Sequence, residues 1–389
     1  MMVCGGGIES EMTVELDHWA PRSLYQPLID EKLTLTNRIV MAPMTREFSP
    51  GGLPNPEAAG YYQRRASGGA GLIITEGTSV PHPVAHLSTK VPHFYGDEAL
   101  RRWKETADAV HAAGGKIFPQ LWHAGLGRHR SETPNPNEPS IGPSIVGRAP
   151  MREMTQADID AVIEAFASAA ADAKKLGFDG VAIHGAHGYL IDTFFWQRTN
   201  RRSDRYGGDI PKRMRFGAEL VAEIRNRTGR EFPIMFRFSQ WKGLHYDVKL
   251  ATTPKELEDV LTPLVNAGVD IFDASTRRFW LPEFSGSDLN LAGWAKKITG
   301  KLTMAVGSVG LEGPVDGVRV NEMSKTAVSL DNLKVLEQML ERGDFDLVGV
   351  GRILLANPEW PKLVQSGQFG GIQPYDPEKT VASLEPASI

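Results

Sequence analysis

Two histidines and a tyrosine fall within one short segment, His184-Gly-Ala-His187-Gly-Tyr189-Leu. Two imidazoles can donate hydrogen bonds to a single oxygen on which negative charge develops. A phenol, whose unperturbed pKa is about 10, can donate a proton as a general acid. A His-x-x-His pair can also ligate zinc, although the strand-end motifs carry no obvious carboxylate or thiol to complete a metal shell. The segment alone leaves ligand binding, metal binding and a structural role open.

Further polar or conformationally special residues stand where other strands are predicted to end. They are Pro43, Met44 and Thr45 after the first strand, Gly77 at the end of the second, Gln120 and Trp122 in the third, and Arg237 in the fifth. A buried Arg or Gln side chain is costly unless it meets a polar partner. A polar, planar ligand across the strand ends would satisfy several of these groups at once. For each residue alone, packing or solvation at a strand end is an equally good explanation.

Two glycine-rich segments follow the last two predicted strands. One contains Gly307 and Ser308, and the other contains Gly351 and Arg352. In α/β barrels, the loops after strands seven and eight often form a phosphate site. Glycine lets backbone N–H groups approach a phosphate, and the arginine adds positive charge. Although such segments also form ordinary turns, the pair predicts a phosphorylated, planar cofactor, a description that FMN fits.

A recurring pattern predicts the elements that position these residues. A helical stretch closes with glycine, which adopts positive φ without strain, and a short apolar run follows that fits a buried strand. The eight predicted strands are 38–41, 71–75, 116–121, 180–184, 233–238, 270–275, 303–306 and 346–350.

Helical segments lie between most of these runs. The clearest begins at Thr155 with a capping-box-like start, and another begins at Thr253, ahead of Pro254 and Glu256. Eight alternations predict an α/β fold, a single (β/α)8 TIM barrel with long loops on its C-terminal face. A doubly wound open sheet is the alternative.

The predicted domain organisation is a single barrel with an extension at each end. We expect an N-terminal extension over residues 1–27, an FMN-binding catalytic barrel over 28–368 and a C-terminal tail over 369–389. The long loops 239–253 and 276–289 follow the fifth and sixth strands. Their aromatic residues favour a pocket wall: Trp241, Tyr246, Phe279, Trp280 and Phe284.

Composition narrows the function classes. The net charge of -4 gives no indication of nucleic-acid binding, and no apolar run approaches the length of a membrane span. The N-terminus does not resemble a secretion signal. The single cysteine, Cys4, cannot form an intrachain disulfide, a zinc–thiolate site or an iron–sulfur cluster. We therefore expect a cytoplasmic protein. We also expect no metal site, because the strand-end motifs offer no obvious further ligand to the histidine pair.

Several ordered motifs resemble the Old Yellow Enzyme family over nearly the whole barrel. They are Asn37-Arg-Ile-Val-Met-Ala-Pro-Met-Thr45, Thr75-Glu-Gly77, Gln120-Leu-Trp122, His184-Gly-Ala-His-Gly-Tyr-Leu190, Asn200-Arg-Arg-Ser-Asp-Arg-Tyr-Gly-Gly208 and Val350-Gly-Arg-Ile-Leu-Leu-Ala-Asn-Pro358. The resemblance implies a non-covalent FMN cofactor, NADPH or NADH as reductant, and reduction of activated alkenes. Unsaturated carbonyl compounds, nitro compounds and quinones are the implied substrates.

The resemblance also implies roles for individual residues. Those implied to hold the isoalloxazine are Pro43, Met44, Thr45, Gly77, Gln120 and Arg237. Those implied to bind the phosphate are Gly307, Ser308, Gly351 and Arg352. His184 and His187 would bind the substrate oxygen, and Trp122 would line the pocket. Tyr189 would protonate the α-carbon after flavin N5 delivers hydride to the β-carbon.

Two other functions remain as alternatives. One is a metal-dependent barrel hydrolase that uses His184, His187 and His123, and the other is a flavin-binding protein without catalytic activity. The physiological alkene and the choice between NADH and NADPH cannot be read from the residues. The family resemblance allows a homodimer as well as a monomer.

Overall fold

Eight parallel strands close into a barrel in the computed structural model, which describes residues 19–146, 150–243, 245–313, 324–380 and 383–384. Each strand pairs with its neighbours along the chain, and the last pairs with the first, where Val350 lies opposite Met41. The strands are β1 (Ile39–Met41), β2 (Leu72–Ser79), β3 (Lys116–Trp122), β4 (Val181–His184), β5 (Ile234–Phe238), β6 (Ile271–Ser275), β7 (Leu302–Val306) and β8 (Leu347–Val350). The predicted TIM barrel is confirmed, and the open sheet is wrong.

Strand β2 is longer than predicted, because it continues to Ser79 instead of ending at residue 75. Its register against β3 shifts between Ile74 and Gly77, which is an irregularity of the bulge type. The polar residues of this second half are buried, and the Thr78 hydroxyl donates to the carbonyl of Gln120 at 2.9 Å. Their polarity resembles a loop in the sequence, whereas in the barrel a neighbouring strand supplies their partners.

Helices connect the strands. They are α1 (Ala58–Ser67), α2 (Asp97–Ala112), α3 (Gln156–Lys175), α4 (Leu190–Phe195), α5 (Ile210–Thr228), α6 (Pro254–Ala267), α7 (Leu291–Thr299), α8 (Leu330–Glu341), α9 (Arg352–Ala356), α10 (Trp360–Gln365) and α11 (Pro377–Thr380). The capping box of α3 is confirmed, since Thr155 and Asp158 each accept the other's backbone N–H. The hydroxyl of Thr253 likewise accepts the amide of Glu256 at the start of α6.

An apolar cluster built from all eight strands forms one part of the core. Its barrel members are Val40, Leu72, Ile74, Phe118, Ala182, Met235, Ile271, Met304 and Leu347. A two-stranded hairpin, Leu28–Ile29 with Thr34–Leu35, contributes three leucines to the same cluster. The hairpin covers the amino-terminal ends of the strands, and the carboxyl ends remain open to ligands.

Three aspartates tie neighbouring strands together at the amino-terminal end of the barrel. Asp179, Asp270 and Asp346 stand just before β4, β6 and β8, and each accepts a backbone N–H near the start of the preceding strand at 2.9 Å. Each carboxylate also pairs with a basic side chain, as Asp346 does with Lys296 Nζ at 2.8 Å. At this end of the barrel the protein itself therefore supplies the partners of these three carboxylates.

The described part of the predicted C-terminal tail, 369–389, packs against the loop that follows β1. The Arg46 guanidinium donates to the carbonyl of Thr380 at 2.7 Å. In the predicted N-terminal extension, 1–27, Cys4 lies outside the described residues. The domain boundaries therefore stay predictions. Among the helices that the structure describes, none combines the length and apolar character needed to cross a bilayer.

We predict that truncation inside the barrel destabilises the protein far more than the same truncation on the hairpin. Ile271 is 1% exposed and Ile29 is 79% exposed. Ile271→Ala should lower the free energy of unfolding by about 2–5 kcal/mol, because it leaves a cavity in a packed core. Ile29→Ala should change it by less than about 0.5 kcal/mol. Urea denaturation measures both, and similar losses would contradict the packed interior.

Candidate active site

A cavity of about 800 Å³ opens at the carboxyl ends of the barrel strands. All of the predicted site residues except Gly77 line it: Pro43, Met44, Thr45, Gln120, Trp122, His184, His187, Tyr189, Arg237, Gly307, Ser308, Gly351 and Arg352. Because the barrel brings its strand ends to one face, residues distant in sequence meet there. The volume is of the size that proteins use to enclose a cofactor or small ligand.

Gly77 does not line the cavity, because it packs against the indole of Trp122, which does. A Cβ atom at position 77 would lie 2.5 Å from Trp122 Cε3, so only glycine leaves room for the indole at this position. The glycine thus influences the cavity through the position of Trp122.

The rings of the His184–Tyr189 segment converge in the cavity. His184 ends β4, and its ring centroid lies 5.1 Å from that of His187 and 5.0 Å from that of Tyr189. Trp122 packs edge-on against Tyr189 at 4.7 Å and stacks beside His184 at 5.7 Å. Two imidazoles and a phenol therefore share one wall of the cavity with an indole.

Both imidazoles of this wall are held in the neutral form. Burial lowers the pKa of His184 and of His187 well below the usual histidine value, and the charge of Arg237 lowers both further. The Nε2 atom of His187 is 2.8 Å from the hydroxyl of Ser275, which ends β6. Neutral imidazoles can donate or accept hydrogen bonds, but they are poor proton donors near neutral pH. Ser275 was not predicted as a site residue, although a polar residue ending a strand was the available signal.

The loop after β5 supplies an aromatic wall. Trp241 stacks on His187 with centroids 4.2 Å apart, and its indole N–H donates to the carbonyl of Ser275 at 3.2 Å. Tyr246 packs against Trp241 and also lines the cavity. Of the other predicted aromatic residues, Phe279, Trp280 and Phe284 belong to or pack against the hydrophobic core. The loop after β6 therefore uses its aromatic residues for packing instead of for the cavity.

One side of the cavity fits a planar, polar ring system. The Nε2 amide nitrogen of Gln120 is buried and has no hydrogen-bond partner among the described residues. Arg237 is buried in the same lining, with Nε 2.6 Å from a carboxylate oxygen of Asp273. Leaving a buried donor unpaired costs about 1–3 kcal/mol, which a ligand that carries acceptor atoms would recover. The isoalloxazine of FMN has such acceptors, and the residues present fit it.

The ends of β7 and β8 form a cradle that fits a phosphate group. Gly307 has φ +142°, and a Cβ atom there would lie 2.7 Å from the carbonyl oxygen of Thr276. Ser308 also has positive φ, at 55°. Arg352 is buried, and its guanidinium donates to the hydroxyls of Thr326 at 2.8 Å and Ser308 at 3.2 Å. A fixed guanidinium beside a tight glycine turn is an arrangement that suits phosphate oxygens.

Of the three histidines considered for a metal site, His184 and His187 lie side by side, but His123 does not join them. His123 Nε2 lies 3.1 Å from Nδ1 of His82, so that its partner is a third histidine and not His184 or His187. Across the part of the chain that the structure describes, no group of three or more His, Cys, Asp or Glu side chains is arranged to hold a metal ion. The hydrolase alternative gains no support from this geometry.

Comparison with known proteins identifies relatives of this chain. The family model described as NADH:flavin oxidoreductase / NADH oxidase matches residues 23–285. An NADH oxidase from Thermoanaerobacter brockii is 36% identical over 354 residues, which are 88% of this chain and 50% of that protein. The chain thus spans about half the length of that relative.

Other relatives match along nearly their whole length. The putative 12-oxophytodienoate reductase-like protein 1 of Arabidopsis thaliana is 33% identical over 342 residues, which are 85% of this chain and 97% of that protein. The solved structure of morphinone reductase in complex with tetrahydroNAD superposes with a TM-score of 0.75 at 27% identity. The match covers 91% of this chain and 93% of that one, which supports the barrel fold.

We predict that buried neutral histidines make the protein less stable in mild acid. Burial lowers the pKa of His86 from its ordinary value of about 6.5 to about 4. Between these two pH values, His86 is protonated in the unfolded chain but neutral in the folded chain. Stability from this group is therefore complete above pH 6.5 and falls by roughly 3 kcal/mol as the pH drops towards 4. His86→Leu should flatten that part of the pH profile of urea denaturation. The exposed His245, changed to Gln, is the control, and parallel profiles for His86→Leu and wild type would contradict the assignment.

Proposed function

The chain belongs to the NADH:flavin oxidoreductase / NADH oxidase family, that of the Old Yellow Enzymes, which uses FMN with NADH or NADPH, and we propose that it is an ene-reductase. Its substrates would be activated alkenes, namely α,β-unsaturated carbonyl or nitro compounds. The observation that carries the proposal is the convergence of two neutral imidazoles and a phenol on one wall of the cavity. The same cavity is lined by Gln120, whose buried amide nitrogen has no partner among the described residues.

Each part of the cofactor has a set of residues that would hold it. The isoalloxazine would lie against Pro43, Met44 and Thr45, with Gln120 and Arg237 as its polar contacts. The phosphate would bind at the cradle of Gly307, Ser308, Gly351 and Arg352. When bound, FMN supplies the hydride, taken first from NADH or NADPH, that adds to the β-carbon of the alkene.

The protein residues would polarise the alkene and complete the reduction. His184 and His187 would donate hydrogen bonds to the carbonyl or nitro oxygen, where negative charge develops as the β-carbon accepts hydride. Tyr189 would give its phenolic proton to the α-carbon and then recover a proton from solvent, so that one hydride and one proton saturate the double bond. Trp122, which packs against His184 and Tyr189, would line the substrate pocket.

The alternatives differ from this proposal in what they require. A metal-dependent hydrolase needs a ligand set around the histidine pair, and His123 is directed to His82 instead. A flavin-binding protein without activity would hold FMN but would not couple NAD(P)H oxidation to alkene reduction. The quinone and nitro-compound reductions that the same flavin could support are variants of the proposed reaction.

We predict that Arg352 contributes strongly to FMN affinity. Arg352→Ala removes the guanidinium from the cradle, and hydrogen bonds to a charged group contribute about 1.5–3 kcal/mol each, so the Kd for FMN should rise at least ~10-fold. Fluorescence quenching during titration of the FMN-free protein measures this. Arg342→Ala is the control, because Arg342 pairs with Asp344 after α8 and lies outside the cavity. Equal FMN affinity of Arg352→Ala and wild type would remove the phosphate assignment.

We predict that the two half-reactions can be separated at Tyr189. The absorption spectrum of the purified protein should have flavin bands that bleach with anaerobic NADPH and return on addition of 2-cyclohexenone. Tyr189→Phe should leave the bleaching nearly unchanged and slow the return by roughly 10²–10⁴-fold, because the proton donor is lost. Tyr206→Phe is the matched control, since the Tyr206 hydroxyl bonds to Glu219 outside the cavity. A colourless protein that takes up no FMN would refute the cofactor and the function together.

A further inference from the structure

The backbone between His187 and Tyr189 adopts a conformation that its surroundings must hold. His187 has φ +63° and Gly188 has φ +80°, so two successive residues lie in the left-handed region. Glycine tolerates this region, but a residue with a Cβ atom is strained there. The turn carries the Tyr189 ring back to within 5.0 Å of His184. The position of the phenol therefore depends on whatever stabilises this turn.

Three hydrogen bonds hold the turn from outside. The His187 amide donates to the hydroxyl of Ser239 at 3.1 Å, and the Gly188 amide donates to Asp192 Oδ2 at 2.8 Å. The His187 carbonyl accepts the amide of Gly243 at 3.0 Å. Two of the three partners belong to the loop after β5, and the third is the side chain of Asp192 in α4.

A buried ion pair joins these partners to each other. Lys242 Nζ lies 2.6 Å from Asp192 Oδ1 and donates to the carbonyl of Ser239 at 2.8 Å. The Lys242 side chain is 2% exposed and that of Asp192 is 0% exposed. Burial alone raises the pKa of Asp192 and lowers that of Lys242, and each charge opposes that shift in the other. A buried pair contributes little net stability compared with apolar residues, so its location beside the turn points to a role in geometry.

We propose that Lys242 and Asp192 are positioning residues that fix the turn before Tyr189 and thereby aim its phenol at the substrate. The proposal rests on the proposed function of Tyr189 as proton donor. One oxygen of Asp192 accepts the Gly188 amide of the turn, and the other binds Lys242. Lys242 also donates to the carbonyl of Ser239, the first residue after β5. These contacts tie the turn after β4 to the loop after β5, so the phenol would keep its place relative to the barrel.

The decisive variant is Lys242→Met, which leaves Asp192 without its cation. A misplacement of about 1 Å can slow a reaction by about 100-fold, so alkene reduction by the reduced enzyme should fall about 10- to 100-fold. In the Tyr189→Phe background, the same change should cost less than about 3-fold, because the group it positions is already absent. Should Lys242→Met fail to fold, Lys242→Met with Asp192→Asn removes the unpaired charge and should have the same kinetic loss.

Hydrogen exchange of the backbone gives a readout that is independent of catalysis. Exchange of peptides covering residues 185–192 should rise at least ~10-fold in Lys242→Met or in the neutral double variant. Lys296→Met is the matched control, because Lys296 also pairs with an aspartate that accepts a backbone N–H, but at the opposite end of the barrel. It should leave exchange of 185–192 and the rate of alkene reduction unchanged.

Each outcome decides for or against the positioning role. The positioning role is supported if Lys242→Met raises exchange in residues 185–192 and if its loss of alkene-reduction rate largely disappears in the Tyr189→Phe background. The role is overturned if exchange is unchanged. It is also overturned if Lys242→Met slows alkene reduction by the same factor in wild type and in Tyr189→Phe. If wild-type protein reduces no alkene but Lys242→Met still raises exchange in 185–192, the proposed function fails while the structural anchoring of the turn stands.

Discussion

At the carboxyl end of the barrel, the described residues include more buried polar groups than protein groups that hydrogen-bond with them. The arrangement of the rest of the site depends on this excess. The Gln120 amide nitrogen, the indole nitrogen of Trp122 and Nδ1 of His184 are buried without a hydrogen-bond partner among the described residues. Each such group costs about 1–3 kcal/mol when nothing satisfies it. A chain that needed only to fold would place apolar residues here, as it does in the barrel interior. The surplus of donors and acceptors is explained by a ligand with complementary polar edges.

At both ends of the barrel, an aspartate binds a backbone N–H group and a basic side chain, but the consequences differ. At the amino-terminal end, Asp179, Asp270 and Asp346 each bind a backbone N–H of a neighbouring strand and a basic side chain. These contacts join strands whose positions the sheet already fixes, so they add to the stability of the closed barrel. At the carboxyl end, Asp192 uses its two oxygens in the same way, but it binds a strained turn and a lysine from another loop. There the contacts of Asp192 hold the turn at His187 and Gly188, which no sheet supports.

Much of this architecture follows from local patterns in the sequence. All eight strands were predicted because a glycine after a helix and a short apolar run are signals contained within a few residues. The second half of β2 was missed, since the partners of Thr78 and its neighbours come from β3, about forty residues away. Thirteen of the lining residues were found through strand ends and motifs, whereas Lys242, which also lines the cavity, and its partner Asp192 were not. Neither residue has a local signal, because the ion pair exists only after β4 and β5 are adjacent.

The chemistry of the site depends on which group is allowed to carry a mobile proton. Burial keeps His184 and His187 neutral, so they can polarise an oxygen through N–H groups but are poor sources of a proton. In the proposed reduction the proton would then come from a different group, and Tyr189 is the phenol that lies on the same wall. Ser275 adds a further constraint, since its hydroxyl meets Nε2 of His187. When that hydroxyl donates, Nδ1 of His187 carries the N–H, and the imidazole remains a donor for an oxyanion. With the hydroxyl in that orientation, His187 would be able to act together with His184 on one oxygen, as the proposed function requires.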